Sequence, residues 1–240
     1  MHVLILGCGG GVGAHLVHRA VSVGDRVSVL LRPGREVALP DSVRVVRGHL
    51  NDASAVVQAL EGVDAVLSSV GMQRRQPWNP WSSSVSPPDL TSSMAEHLVA
   101  AMKQTGVQRV VAVSAAGVGD SASGLNMLMR FFLATTMIGD AYRDLGRMER
   151  VFSESGLDWL CPRPTRLTHS QGKRTAQVVS RFGLNDAVSR ANVARWMLDT
   201  LHECPRFENL ACGRTPQLAD APASVVPGRI ALNPSSDDTK

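Results

Sequence analysis

Val3-Leu4-Ile5-Leu6-Gly7-Cys8-Gly9-Gly10-Gly11-Val12-Gly13-Ala14 stands near the start of the chain, an apolar run that breaks into glycines and continues as an amphipathic stretch to Val23. A strand, a glycine turn and a helix start in that order leave backbone N–H groups free at a helix N-terminus, where a diphosphate can sit. Gly7 suits the tight turn, a glycine near the second position lets the backbone approach the phosphates, and Gly13 lets helix and strand pack closely. Any flexible turn after a strand can show glycines. Context decides: a second apolar strand, Arg26-Val27-Ser28-Val29-Leu30-Leu31, follows at the distance expected of a βαβ unit. The stretch Gly7, Gly9, Gly10, Gly11, Val12 and Gly13 is therefore read as a dinucleotide-binding turn.

The residue closing the second strand selects among dinucleotides. A carboxylate there binds a ribose 2′-hydroxyl, whereas a 2′-phosphate needs cationic donors. The sequence reads Leu31-Arg32-Pro33-Gly34-Arg35, with no carboxylate at the strand end and two guanidiniums able to donate charge-assisted hydrogen bonds. NADP(H) is favoured over NAD(H). Arg35 reads equally well as a solvated loop arginine.

The 240 residues, 44% of them hydrophobic, suffice for one α/β domain with a substantial core. A net charge of +4 raises the question of nucleic acid, but the basic residues are scattered and aromatics make up only 4%, so no stacking platform or basic stripe is present. An anionic cofactor accounts for part of the charge, and a small-molecule substrate is the expected partner. Cys8, Cys161, Cys204 and Cys212 lack metal-ligand spacing, which predicts reduced thiols and no metal. No signal-peptide pattern and no apolar run of membrane-spanning length are present, so a cytoplasmic protein, monomer or homodimer, without membrane contact is expected.

Strands and helices alternate for most of the length, predicting a Rossmann-type, doubly wound parallel sheet in a single domain over residues 1–212. Further strands are expected at Val43–Val46, Val63–Leu67, Arg109–Val113 and Leu157–Cys161, with weaker ones near 175–179 and 209–211. Residues 213–240, rich in Pro, Ser, Ala and Asp, are expected to form a poorly ordered tail. Two insertions follow strand ends, where open α/β sheets bind ligands. The first, near 72–89, holds Trp78 and Trp81 and is favoured as a substrate-covering loop over a mobile one. The second, near 115–136, carries Met127 among Leu125, Leu128, Met129, Phe131, Phe132 and Leu133, and reads equally as helix core, pocket wall or dimer face.

Gly7-x-x-Gly10-x-x-Gly13, Leu31-Arg32-Pro33, the Gly48–Asp52 segment, Ser114, Arg147-Met148-Glu149, Ser155-Gly156-Leu157-Asp158-Trp159, Arg163-Pro164 and Ser189-Arg190-Ala191-Asn192-Val193-Ala194 together resemble the atypical short-chain dehydrogenase/reductases with an NAD(P)H-binding domain. That group includes biliverdin/flavin reductase-like and nitrogen-regulator-like members. The resemblance implies that cofactor runs past His49 and Leu50 and past Ser68, Ser69, Val70 and Gly71, with the hydride face at the ends of the fourth and fifth strands. His49 and Asn192 stand where the family commonly has Asp, and His49 can meet adenine or face solvent. The Tyr-x-x-x-Lys pair of typical members is missing, because the only tyrosine reads Tyr142-Arg143-Asp144-Leu145-Gly146. Tyr142 thus lacks the lysine that lowers its pKa.

Without that relay, the resemblance implies hydride delivery to a conjugated substrate whose proton comes from solvent. Ser114 is the first hydrogen-bonding candidate and Tyr142 a weaker acid. Thr165 and Arg166 are expected at the substrate, Arg166 against an anionic group. The leading expectation is an NADPH-dependent reductase of a small or medium-sized conjugated, apolar substrate. The alternatives are a non-catalytic NADP(H) sensor and a non-redox isomerase or cyclase on the same fold.

Overall fold

In the computed structural model, residues 1–76, 79–124, 127–170, 174–180, 182–183 and 185–222 are described. The first half runs β1 (His2–Leu6), α1 (Gly11–Ser22), β2 (Arg26–Leu31), β3 (Arg44–Arg47), α2 (Ala53–Ala59), β4 (Ala65–Ser68), α3 (Leu90–Thr105) and β5 (Arg109–Ala112). The second half runs α4 (Met127–Thr135), α5 (Ile138–Ser153), β6 (Asp158–Leu160), β7 (Arg163–Pro164), β8 (Arg166–Thr168), β9 (Arg174–Val178), β10 (Ala187–Ser189), α6 (Arg190–Glu203) and β11 (Gln217–Pro222).

Every residue of β1 is buried because the sheet is covered on both faces. Alternate side chains divide between two cores, as the strand period of two requires. Val3, Ile5, Val27, Val29 and Leu67 pack with Leu16, Val17, Ala20, Val193 and Met197 of α1 and α6. Leu4, Leu6, Leu30 and Val66 pack with residues of α2, α3 and α5, among them Val56, Leu98 and Phe152. The main sheet has the order β3-β2-β1-β4-β5-β6, with all pairs parallel. This is a Rossmann-type, doubly wound α/β fold. Its order reverses between β1 and β4, so the loops after these strands open the crevice where such sheets bind ligands.

Helix ends are fixed by specific side chains. Asp52 accepts from the amides of Ser54 and Ala55 at the start of α2, and Ser189 accepts from Asn192 N–H at the start of α6. The start of α3 is capped from outside its own sequence: Asp144 of α5, fully buried, accepts from the amides and hydroxyls of both Thr91 and Ser92.

The later strands depart from expectation. They form two small separate sheets, β10-β8 and β7-β11-β9, rather than extending the main one. The segment expected to begin a poorly ordered tail at 213 instead supplies β11, parallel to β7 and antiparallel to β9, with Leu218 fully buried. Residues 223–240 lie outside the described residues. The short strand expected near 209–211 is replaced by a 3-10 turn, Phe207–Asn209, whose Phe207 plugs the first core. Among the described residues no helix is long and apolar enough to cross a membrane.

Candidate functional site

The glycine turn after β1 is shaped by close backbone approach. Gly7 has φ +80°, and a Cβ there would lie 2.9 Å from the carbonyl carbon of Ser69. A Cβ on Gly13 would land 2.2 Å from the Gly7 carbonyl oxygen, so only glycine lets α1 sit this close to β1. Gly10 N–H donates to Gly7 O at 2.9 Å. The N-cap of α1 is Gly10, so among the described residues no side chain caps the amides of its first turn. Val12 and Cys8 are buried in the helix–sheet core, and burial raises the Cys8 thiol pKa, which suits a packing role.

Two guanidiniums lie against this turn. Arg35 approaches Gly9, its Nη2 3.6 Å from the position a Cβ would take, with Val37 at 3.2 Å beside it. Arg190 crosses Gly11. Arg32 is exposed at the end of β2, and its carbonyl accepts from Arg35 N–H. The chain distances of these contacts explain why the order of residues shows Arg32 and Arg35 as candidates and leaves Arg190 unassigned.

The remaining cofactor candidates are placed unequally. Ser69 donates to Gly7 O at 3.3 Å, which ties the end of β4 to the turn. Ser68 is buried, its hydroxyl 4.0 Å from Met94 Sδ on the α3 side of the sheet, so its side chain belongs to the core. Val70 and Leu50 pack partly against the same core, Gly71 borders open space, and the His49 side chain is exposed.

Beyond the end of β5 lies a cavity of 530 Å³ lined by Ser114, Tyr142, Thr165 and Arg166. The fold thus brings together four candidates spread over more than fifty residues. Met129, Phe132 and Leu133 of α4, with Ile138, Leu167 and Phe182, add apolar wall, and Asp186 adds a carboxylate. Backbone bonds from Ser114 to Pro162 O (2.9 Å) and from Ala116 to Pro164 O (3.0 Å) hold the lining segment after β5 against β7. Beneath it the buried Arg163 donates to both carboxylate oxygens of Glu149 and to Asp120.

The polar groups of the cavity differ in availability. Ser114 Oγ is buried without a hydrogen-bond partner. Thr165 Oγ1 is engaged, donating to Leu218 O at 3.1 Å. Burial raises the pKa of Tyr142, and Gly146 stands where an activating lysine would be. Arg166 is exposed at the mouth.

Two expected substrate residues are not brought to this cavity. Met127 is 86% exposed because it lies on the outer face of α4, where Met129, Phe132 and Leu133 take the inner one. Trp81 is 65% exposed on a loop that folds on itself through an Arg74–Ser84 bridge. The loop joins the start of α5 by Met137 N–H to Pro80 O. Trp78 lies outside the described residues. Among the described residues no group of three or more His, Cys, Asp or Glu is placed to hold a metal ion.

An unpartnered hydroxyl buried in the cavity wall and a glycine cradle closed to any side chain fit a dinucleotide spanning the turn and the end of β5. Solved structures share the fold. An anaerobilin reductase of Escherichia coli O157:H7, ChuY, is 22% identical with a TM-score of 0.68, covering 92% of this chain and 97% of its own. A wide-type short-chain dehydrogenase/reductase of Veillonella parvula DSM 2008, solved with NADP, is 20% identical with a TM-score of 0.69, covering 98% of each chain. The oxidoreductase ylbE of Lactococcus lactis is 16% identical with a TM-score of 0.72, covering 92% of each. Residues 7–204 match the family model described as NAD(P)H-binding, and the chain belongs to that family, on a fold shared with short-chain dehydrogenase/reductases.

Proposed function

We propose that the chain is an NADPH-dependent reductase of small or medium-sized conjugated, apolar substrates, working without a tyrosine–lysine relay. The observation that carries this reading is the buried, unpartnered hydroxyl of Ser114 in the wall of an apolar cavity at the end of β5. The NADP bound to the Veillonella protein supports the cofactor class. The amides opening α1 and the glycine turn would hold the diphosphate, and Arg32 and Arg35 the 2′-phosphate. Bound there, the cofactor supplies a hydride.

The chain's own residues then orient and exclude. Met129, Phe132, Leu133 and Phe182 form an apolar wall that keeps water from the reacting face. Ser114 donates a hydrogen bond to a polar atom of the acceptor, a group with no competing partner inside the protein. Tyr142, its pKa raised by burial, stays a neutral phenol and gives shape rather than a proton relay. A delocalised acceptor spreads the arriving electron pair and takes its proton from solvent through the Arg166 mouth, so alignment is the main contribution of the protein. The four free thiols suit a reducing compartment such as the cytoplasm.

The test is a fluorescence titration with NADPH and NADH on wild type and Arg32→Ala, followed by NADPH oxidation with flavin and quinone acceptors. Preference for NADPH that falls in the variant, together with acceptor turnover, supports the reading. Tight NADPH binding with no turnover of any acceptor moves it to a non-catalytic sensor or a non-redox enzyme.

A further inference from the structure

Arg190 opens α6 and belongs to a motif that the proposed reduction leaves unused. Its backbone is fixed: Ser189 caps the helix, Ser189 N–H donates to Asp220 at 3.0 Å, and Asn192 Nδ2 donates to the other oxygen of Asp220 at 2.7 Å. From this anchor the side chain lies across Gly11, the first residue of α1. A Cβ on Gly11 would lie 2.3 Å from Arg190 Cδ and 2.8 Å from Nε. Gly11 is thus the surface on which the arginine rests.

The charge there is uncompensated. Arg190 Nη1 is buried without a hydrogen-bond partner, and among the described residues no carboxylate lies within ion-pair distance of the guanidinium. Asp220, on the adjoining strand, is occupied by Ser189 and Asn192. A cation over the positive end of a helix dipole is repelled, and a buried donor without an acceptor costs further free energy. Methionine would cover Gly11 with neither penalty. An anion bound by the α1 amides would remove both.

We infer that Arg190 is a ligand of the cofactor diphosphate, closing over the glycine turn from α6. The inference rests on the dinucleotide reading of that turn and adds a residue about 180 positions away from it in the chain. Arg35, against Gly9, faces the same turn from the β2 side, so the charged parts of the cofactor are divided: the 2′-phosphate for Arg35 with Arg32, the diphosphate for Arg190.

The test compares wild type, Arg190→Gln and Arg190→Lys in displacement titrations with NADPH, ADP-ribose and adenosine 2′-monophosphate. ADP-ribose carries the diphosphate without the nicotinamide, and adenosine 2′-monophosphate carries the 2′-phosphate alone. Arg190→Gln is expected to weaken NADPH and ADP-ribose by the same factor, about tenfold or more, and to leave adenosine 2′-monophosphate unchanged. Arg190→Lys, with a point charge in place of the fork, falls between. Equal loss for all three probes, or a change under about twofold for ADP-ribose, overturns the inference. If Arg190→Gln does not fold, the ratio of ADP-ribose to adenosine 2′-monophosphate affinity in Arg190→Lys decides, and an unchanged ratio overturns it. Wild type binding none of the probes removes the dinucleotide reading itself, a result distinct from intact wild-type binding that ignores the substitution.

Discussion

Asp144 on α5 accepts hydrogen bonds from both the amide (2.7 Å) and the hydroxyl of Thr91 at the start of α3, and does the same for Ser92. One buried carboxylate thus replaces the cap that α3 lacks and fixes the stretch of α5 that carries Tyr142 two residues earlier. Burial opposes its ionisation, but the Ser92 and Thr91 bonds and Arg147 outweigh that and hold its pKa below the usual value. A carboxylate with a depressed folded pKa stabilises above its unfolded pKa, and that contribution fades as pH falls through the folded value. Asp144→Ala, which strands several buried donors, is expected to cost about 3 kcal/mol at neutral pH. Urea midpoints of wild type and Asp144→Asn should draw together as pH falls from about 6 to 3, the gap beginning to narrow near the unfolded pKa of about 4 and closing only below the depressed folded value. Parallel curves across that range would remove the capping account.

Ser114 separates binding from rate. Its hydroxyl touches no protein acceptor, so removing it strands nothing inside the fold. Ser114→Ala should therefore leave thermal stability and NADPH affinity unchanged and lower kcat by about 10- to 100-fold with a working acceptor. Steady-state kinetics beside a cofactor titration checks this. A rise in the NADPH dissociation constant with kcat intact would place the serine at the cofactor rather than at the acceptor.

Tyr142 makes an opposite claim about pH. In a relay enzyme a lysine lowers the phenol pKa into the working range, whereas here burial raises it and the fourth residue onward is Gly146. The phenol stays protonated to at least about pH 10, so kcat should be flat between about pH 6 and 9, and Tyr142→Phe should lower it less than about fivefold. A limb near neutrality that vanishes in Tyr142→Phe would restore the tyrosine to an acid–base role.

How far the order of residues reaches depends on the range of the interactions. The turn from Gly7 to Gly13 is local: the close contact of Gly13 with Gly7 spans six positions, and glycine is required by backbone alone. The strands buried on both faces are legible as continuous apolar runs such as Val3–Leu6. By contrast, β11 includes Asp220 and Pro222, poor strand formers, and exists because β7 and β9 pair with it on either side. Seven of the nine residues of α4 are apolar and Arg130 alone interrupts the run, so the pattern does not separate the inward Phe132 from the outward Met127. The contacts of Arg35 with Gly9 and of Arg190 with Gly11 join distant segments and leave no local mark.

The buried pair Glu149–Arg163 supports the cavity from below, and magnitudes separate its members. Arg163 is 3% exposed and donates Nε and Nη2 to the two Glu149 oxygens at 2.9 and 2.6 Å. Its third partner, Asp120, has a largely solvent-facing carboxylate. Removing one member of a buried pair leaves the other charge desolvated, so Glu149→Gln and Arg163→Met should each cost about 3–5 kcal/mol. Asp120→Asn, at a screened site, should cost at most about 1 kcal/mol despite the Arg163 bond that lowers its pKa. Replacing both buried charges, as in Glu149→Leu with Arg163→Met, leaves no stranded ion and should be less damaging than either single change. Because Pro164 O receives the Ala116 amide of the cavity lining, the single variants should also raise KM for the acceptor before they unfold. Denaturant unfolding of the four variants tests the ranking. If Asp120→Asn costs as much as Glu149→Gln, the pair is not the support of this wall.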